Sequence, residues 1–319
     1  MIRGQPCFSV NVDVTNPGQF FACCGLLELS HRLWRQAEGW FSECSFNLGA
    51  AEYPRNALAS LLSELDRSKL LGLDESEEEE RRQLEAKHQK FGRKKQRSRR
   101  KNKSSEQMAP GERVGEELAQ KDKERLKDLG QKARKGSLFV GEPFFLTLDW
   151  WQNEDDVVPK TWAGLQEIHK IARAAQAALS AIPADAGSAF DYECVMVTPP
   201  EYMTGKNKEP GTVEPFYFDA RRFAHALDAG FSLDVQNAET VAHPAVELLC
   251  LIGLQRFRPS AADRKWTFSY RAWSRPLSAP VAAGVVCGAV PLADAQEYRF
   301  DLYFRDDQKR YKAFGFSRR

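Results

Sequence analysis

Hydrophobic and polar positions first alternate near the start of the chain, where Phe8, Val10, Val12 and Val14 are separated by polar residues. Such alternation predicts a half-buried strand. Residues 15–19, Thr-Asn-Pro-Gly-Gln, have strong turn chemistry and end it. An apolar helix is expected next, from Phe20 to about Gln36. Further along, the pattern predicts one strand over Trp40–Leu48 and a short helix over Arg55–Leu65.

The second half of the chain predicts a mixture of strands and helices without regular alternation. A hairpin is expected over 137–140 and 144–151, and a long helix over Thr161–Ala181. The remaining predicted elements are strands at 191–197 and 215–218, a helix starting at Ala220 and capped by Asp219, a helix over 246–257, a strand over 266–273 and a hairpin over 298–304 and 310–316. This order predicts an α+β fold with a mixed or antiparallel sheet packed against several helices.

Residues 73–136 differ from the rest of the chain. They hold only about seven large apolar side chains, too few to offset the entropy of ordering a packed domain. We therefore expect a long, charged, disordered insertion in one folded body. The predicted division is 1–72 and 137–319 for the two parts of the body and 73–136 for the mobile insertion. Glu77 with Arg81, and Glu78 with Arg82, are spaced to support a transient helix.

Positive charge is concentrated in this insertion. Residues 74–135 carry 20 Lys or Arg and 14 Asp or Glu, whereas the whole chain carries 46 and 44. The body is therefore mildly acidic, and the insertion has the charge of a nucleic-acid-binding arm. The predicted phosphate contacts are Lys90, Arg93, Lys94, Lys95, Arg97, Arg99, Arg100, Lys101 and Lys103.

Three further sets of residues are candidates for nucleic-acid binding. Asn16 and Gln19 precede an apolar helix, where backbone N–H groups can bind phosphate, although a simple turn is the alternative interpretation. Lys206 and Lys208 lie in a Gly- and Pro-containing loop. Arg256 and Arg258, with Arg264 and Lys265 nearby, either complement a helix dipole or line a groove, with Trp273 or Tyr270 as a stacking face.

The seven cysteines form no C-x-x-C pair, so neither a disulfide framework nor a zinc ribbon is indicated. Most lie among apolar neighbours and are expected to be buried thiols, which suits a reducing cytoplasm. No apolar run reaches the roughly 20 residues that a membrane span needs. We expect a cytoplasmic protein without a membrane segment, metal or cofactor.

Catalytic motifs are not found: the sequence has no H-E-x-x-H, G-x-S-x-G or Walker A pattern. An enzyme with dispersed catalytic residues stays open as an alternative. His169 or His225 would then be the acid–base groups, and Asp155, Asp156 or Asp219 would supply carboxylates for a metal. His243 and Glu247 are four residues apart, but His243-Pro244 has the pattern of a helix start.

Three segments together resemble a known family. They are 12–28, VDVTNPGQFFACCGLLE; 245–259, AVELLCLIGLQRFRP; and 273–283, WSRPLSAPVAA, followed by RYKAF at 310–314. The chain resembles the CRISPR-associated proteins of the Dpsyc subtype (type I-G, formerly I-U), candidate large-subunit-like components of an effector complex. The resemblance covers both ends of the chain and leaves out residues 73–136.

The resemblance implies a non-catalytic subunit of an antiviral effector complex. In such complexes the guide RNA reads the target by base pairing, and protein subunits hold the nucleic-acid backbone. The implied partners are guide RNA, target DNA, the other effector subunits and a separate helicase–nuclease. Two alternatives are a nucleic-acid-processing enzyme and a pure assembly subunit that binds only proteins.

Overall fold

A computed structural model of the chain describes residues 5–74, 76–87, 110–152, 158–163, 166–182, 189–200, 210–222, 240–305 and 311–319. These residues form an α+β fold with antiparallel sheets, as the sequence predicts. The helices are α1 (Pro17–Leu33), α2 (Ala57–Arg67), α3 (76–87), α4 (Pro110–Lys135), α5 (Ile168–Ala177), α6 (Pro244–Arg256) and α7 (Ala279–Val286). Two short 3₁₀ turns, Leu179–Ala181 and Ala220–Arg222, accompany them.

The strands of the described residues form two larger and two smaller antiparallel sheets. The N-terminal sheet has the order β1-β3-β2-β11 and the C-terminal sheet the order β13-β12-β10-β9. Their strands are β1 (Phe8–Asn11), β2 (Glu38–Ser42), β3 (Ser45–Gly49), β11 (Leu277–Ser278), β9 (Ser260–Ala261), β10 (Thr267–Ala272), β12 (Gln296–Phe304) and β13 (Lys312–Phe314). The smaller sheets contain β4 (Leu70–Leu71), β5 (Leu138–Val140) and β6 (Leu146–Leu148), and β7 (Cys194–Val195) with β8 (Val241–Ala242).

Helices α1 and α6 form the centre of the core and cross with their backbones in contact. A Cβ added at Gly25 would meet the carbonyl of Leu249, and one added at Gly253 would meet the carbonyl of Phe21. Glycine at both positions lets the two helices approach more closely than any side chain would allow. Because α1 lies before the insertion and α6 after it, the two parts of the chain share one core.

Phe20 of α1 connects the two larger sheets. Its ring stacks on Tyr270 of β10 with centroids 4.2 Å apart and on Phe41 of β2 at 5.1 Å. Aromatic pairs of this kind add to the area that they bury. Helix α1 therefore contacts both larger sheets.

Several predicted elements differ from the structure in their bounds. The single strand expected over 40–48 is the β2–β3 hairpin, in which Phe41 pairs with Phe46 across a two-residue turn. The helix expected over 161–181 begins only at Ile168, and its last turn is 3₁₀. Thr161 is buried without helical structure, and the backbone carbonyl of this residue accepts a hydrogen bond from Lys312. Tertiary pairing has overridden local helical spacing there.

The sequence predicts a disordered insertion over 73–136 with at most a transient helix near Glu77–Arg82, but residues 76–87 and 110–135 are helical. Helices α3 and α4 run antiparallel, joined by ion pairs from Glu77 to Lys132 (2.6 Å), Glu80 to Arg125 (2.7 Å) and Lys87 to Asp122 (2.8 Å). These pairs hold the two helices together as the α3–α4 hairpin. The apolar contacts that local composition could not predict are those of Leu129 and Ala133, which are buried in the folded chain.

The α3–α4 hairpin is inserted between two paired strands. In β4 and β5, Leu70 is opposite Val140 and Leu71 is opposite Phe139. The ends of the insertion are therefore held side by side by the body itself. Among the described residues, no helix combines the length and apolar character needed to cross a membrane.

Candidate nucleic-acid interface

The nine basic residues predicted to contact phosphate, Lys90 to Lys103, lie outside the described residues, as do Lys206 and Lys208. The structure does describe how their segment is attached. The chain leaves the body through α3 and returns through α4, and the residues between these helices in the sequence lie outside the described ranges. The basic segment (residues 90–103) is part of this connection.

The α3–α4 hairpin is anchored to the body by Arg81. Its guanidinium donates to Glu167 at 2.8 Å and to Glu85 at 3.1 Å. Burial by itself would raise the pKa of Glu167, but Arg81 and Lys170 outweigh it and hold the pKa at about 2. Leu129 and Ala133 of α4 are buried beside this ion pair. The hairpin is therefore packed onto the body at its base.

The turn before α1 does not expose an anion site. Asn16 is 0% exposed and caps α1: its Oδ1 accepts from the backbone N–H groups of Gly18, Gln19 and Ala220. Gln19 is also buried, and its Oε1 accepts from the N–H of Asp13 at 2.7 Å. A phosphate cannot reach either residue in this structure. The prediction that they bind nucleic acid is corrected: the turn packs against residues 218–220, which sequence spacing could not reveal.

Asn16 belongs to a buried group that we call the corner network: Asn16, Asp219, Arg221, His243 and Glu247. Asn16 Nδ2 donates to Asp219 at 2.7 Å, and Arg221 donates to the other oxygen of Asp219 at 2.7 Å. Glu247 accepts from the backbone N–H groups of Phe218 and Asp219. Burial raises the pKa of Glu247 to about 8, with the nearby Asp219 acting in the same direction.

The imidazole of His243 is fixed in one tautomer. Arg222 donates through Nε to His243 Nε2 at 3.2 Å, so Nδ1 carries the proton and donates to the carbonyl of Tyr192. Burial lowers the pKa of His243, which suits this neutral form. Both ring nitrogens are thus occupied. The pair His243 and Glu247 is structural, as the helix-start interpretation predicts.

The candidate catalytic residues that the structure describes, Asp219 and His169, are both buried. Asp219 is fully buried in the corner network, and His169 is 1% exposed under the α3–α4 hairpin. Burial lowers the pKa of His169 to about 4. Asp155, Asp156 and His225 lie outside the described residues. Within the described ranges, no group of three or more His, Cys, Asp or Glu residues is arranged to hold a metal ion.

Arg256 and Arg258 have different surroundings. The guanidinium of Arg256 pairs with Glu28 through Nε, and through Nη2 at 3.2 Å. Glu28 is buried in the core and also accepts from Arg32 at 2.8 Å. Arg256 therefore neutralises a buried carboxylate, and its predicted phosphate contact stays a prediction. Arg258 is half-buried just beyond the end of α6.

The expected stacking faces are also corrected. Trp273 and Tyr270 are 1% and 0% exposed, and both form part of the aromatic core around Phe20. Trp266, one residue before β10, is the aromatic side chain of this stretch that reaches the surface. Lys265 Nζ lies 4.8 Å and Lys312 Nζ 3.9 Å from its ring centroid. Sequence reasoning missed Lys312 because only the β12–β13 pairing brings it to Trp266.

The cysteines match their prediction in part. Cys23, Cys24 and Cys250 are buried, and burial raises the pKa of each thiol well above its usual value. Cys44 and Cys287 are exposed.

The structure defines an α+β body with an ion-paired helical hairpin and, at the end of one sheet, lysines over a surface tryptophan. Comparison with known proteins adds no relative: no family model, curated protein or solved structure matches the chain.

Proposed function

We propose that the chain is a non-catalytic subunit of a type I CRISPR effector complex. In this role it binds the backbone of guide RNA or target DNA beside the other effector subunits, and the helicase–nuclease is a separate protein. The proposal rests on the resemblance of residues 12–28, 245–259 and 273–283 to the Dpsyc-subtype proteins, and on the concentration of basic residues in one segment.

The observation that carries the proposal is the attachment of the basic segment. Residues 90–103 hold nine Lys or Arg and no acidic residue. Two acidic groups of α3, Glu77 and Glu80, are paired with Lys132 and Arg125 of α4. The cations of residues 90–103 have no acidic neighbour within their own segment of the sequence, and phosphate is the natural counter-charge.

Two alternatives remain as competing hypotheses. A nucleic-acid-processing enzyme needs an acid–base group that substrate can reach, and the described candidates, His169 and Asp219, are buried. A pure assembly subunit needs no nucleic acid and would leave the basic segment as a solvated connection. The experiment below separates the three.

The test measures binding of the purified chain to labelled RNA and DNA across a series of salt concentrations. A variant with Lys94, Lys95, Arg99 and Arg100 changed to Gln should bind RNA and DNA more weakly, and the loss of affinity should be about the same for strands of unrelated sequence. Each lost phosphate contact reduces the slope of log affinity against log salt by about 0.7 to 0.9. The slope should therefore flatten by about 3 if all four residues contact phosphate.

The matched control changes four exposed arginines of the body, Arg35, Arg55, Arg67 and Arg275, to Gln. It removes the same charge and should leave the slope nearly unchanged. Equal slopes for wild type and the segment variant would favour the assembly subunit. Cleavage of the labelled strand in the presence of a divalent metal would favour the enzyme.

A further inference from the structure

The C-terminal sheet ends in a surface that we call the Trp266 platform: Lys265, Trp266, Phe304 and Lys312. The indole meets the Phe304 ring edge to face, with centroids 6.0 Å apart, and lies beneath the ammonium groups of both lysines. Trp266 is half-buried and packs partly on the core, and Lys265 is exposed. The surface thus joins an aromatic face to two positive charges.

The backbone at Trp266 is unusual for an aromatic residue. Its φ is +66°, in the left-handed region. The residue ends the β9–β10 connection, where Thr267 donates its N–H to the carbonyl of Arg264 at 3.1 Å. Gly or Asn normally occupies a left-handed position in such a hairpin loop, because a bulky side chain adds strain there. A tryptophan in this strained conformation motivates the hypothesis that its ring has a role.

The ends of β12 and β13 next to the platform are held together around Arg305. Its side chain is 8% exposed and pairs with Glu214 at 3.5 Å. The guanidinium lies 3.5 Å from the centroid of the Tyr217 ring. The Arg305 N–H donates to the carbonyl of Tyr311 at 2.9 Å. These contacts fix the strand ends that carry Phe304 and Lys312.

The strand that carries Lys312 is fixed on its other side by a neighbouring segment. The Lys312 N–H donates to the carbonyl of Thr161 at 2.8 Å. Lys160, the residue before Thr161, lies with Nζ 5.5 Å from the ring centroid of Trp162 rather than over Trp266. The platform therefore has two lysines over its indole, Lys265 and Lys312.

We propose that the Trp266 platform binds single-stranded nucleic acid, with one base stacked on the indole and the adjoining phosphates on Lys265 and Lys312. The proposal rests on the proposed function and gives the body its own contact with the strand. When a base stacks on the Trp266 indole, it displaces a lysine ammonium group from the ring face, and that ammonium group then pairs with the neighbouring phosphate. A duplex cannot use the platform in this way, because its base faces are covered by neighbouring pairs.

The test uses the full-length chain and compares single-stranded RNA, single-stranded DNA and duplex DNA of the same length. Trp266→Leu should weaken binding of single strands about tenfold, because one base stack is lost, and should leave duplex binding unchanged. Trp266→Phe keeps an aromatic face and should stay within about threefold of wild type. Trp40→Leu, at another half-buried tryptophan, is the control for removing an indole. A larger effect for RNA or for DNA identifies the strand.

Two further readouts do not depend on how well Trp266→Leu folds. Binding of a single strand should quench tryptophan fluorescence in wild type, and Trp266→Phe should lose that part of the quenching while keeping its affinity. The double change Lys265→Gln and Lys312→Gln should reduce the salt slope by about 1.4 for single strands. Its charge-matched control is Arg35→Gln with Arg55→Gln.

The outcomes separate this proposal from the proposed function. Salt-sensitive binding that needs the basic segment, but is the same in the Trp266 and double-lysine variants, would overturn the platform and leave the proposed function standing. Single-strand binding that depends on Trp266 and not on the basic segment would support the platform. If the wild-type chain bound no nucleic acid, both would fail.

Discussion

At the scale of single residues, the polar groups of the corner network are structural parts of the core. Asn16 uses both ends of its amide, with Oδ1 towards three backbone N–H groups and Nδ2 towards Asp219. Buried polar groups of this kind are costly when one partner is removed. The turn at residues 16–19, which the sequence suggests as an anion site, is therefore a helix cap that is hydrogen-bonded to residues 219–220.

Asn16→Ala should lower the free energy of unfolding by about 2 to 4 kcal/mol, because it removes a helix cap and one of the donors to the buried Asp219 carboxylate. Urea denaturation measures the change. The control is Asn56→Ala at the start of α2, where the side chain makes no capping hydrogen bond. That variant should stay within about 0.5 kcal/mol of wild type. Equal losses in the two variants would refute the capping role.

Glu247 should make stability depend on pH. Its pKa is raised from 4.5 to about 8 by burial, so the folded state keeps a proton that the unfolded state loses. This contribution is complete below pH 4.5 and is lost as the pH rises towards 8. The free energy of unfolding should then fall by up to about 1.4 kcal/mol per pH unit in that window.

Glu247→Gln removes this group's titration, so the difference in unfolding free energy between wild type and variant should change steadily between pH 5 and pH 8. Urea denaturation at several pH values measures it, and the other titrating groups cancel in the comparison. A difference independent of pH would show that Glu247 is already ionised in the folded chain.

At the scale of elements, hydrophobic periodicity predicts the helices and strands whose structure depends on residues close in sequence. The alternating stretches gave β1, β10 and the β12–β13 hairpin, and the apolar stretches gave α1, α2 and α6 within a few residues. Prediction failed where distant pairing decides the structure. Residues 161–163 have helical spacing but lie against β13, and no local signal contains that contact.

The crossing of α1 and α6 should tolerate no side chain. Gly253→Ala should lower the free energy of unfolding by about 3 kcal/mol or more, because the new methyl group meets backbone atoms that cannot move aside. Gly130→Ala on α4 is the matched control, since its Cβ would meet only the flexible end of Arg134 at 3.5 Å. That change should be neutral or stabilise by up to about 1 kcal/mol. Thermal melts compare the two, and similar melting temperatures would contradict the close crossing.

Docking of the α3–α4 hairpin should depend on Arg81. Arg81→Ala leaves Glu167 without its main partner, so backbone amides of residues 76–87 should exchange with deuterium about tenfold faster. Arg82→Ala, at the neighbouring exposed position, should leave these rates nearly unchanged. Exchange followed by mass spectrometry measures both. The same rates in both variants would mean that apolar contacts such as Leu129 anchor the hairpin.

At the scale of the whole molecule, the two parts of the body depend on each other. Helix α1 comes from the first part and α6 from the last, and Phe20 connects both larger sheets. Sequence could indicate the basic segment, because charge density is a local property. It could not indicate the Trp266 platform, because Lys265 and Lys312 are 47 positions apart and meet only in the folded sheet.

The body should therefore unfold in one cooperative transition. Far-ultraviolet circular dichroism, which reports backbone structure, and tryptophan fluorescence, which reports the core, should give coincident denaturation curves. Gly25→Ala should shift both curves equally, although it lies in the N-terminal part. Separate midpoints would instead indicate two independent units before and after residues 73–136.

The pairing of β4 with β5 has a consequence for how the chain can evolve. Because Leu70 and Leu71 face Val140 and Phe139, the two ends of the insertion are fixed as neighbours whatever lies between them. Lengthening a loop whose ends are already together costs little free energy. Insertions or deletions between α3 and α4 should therefore leave the fold of the body intact, as long as the contact of Arg81 with Glu167 at the base of the hairpin is kept.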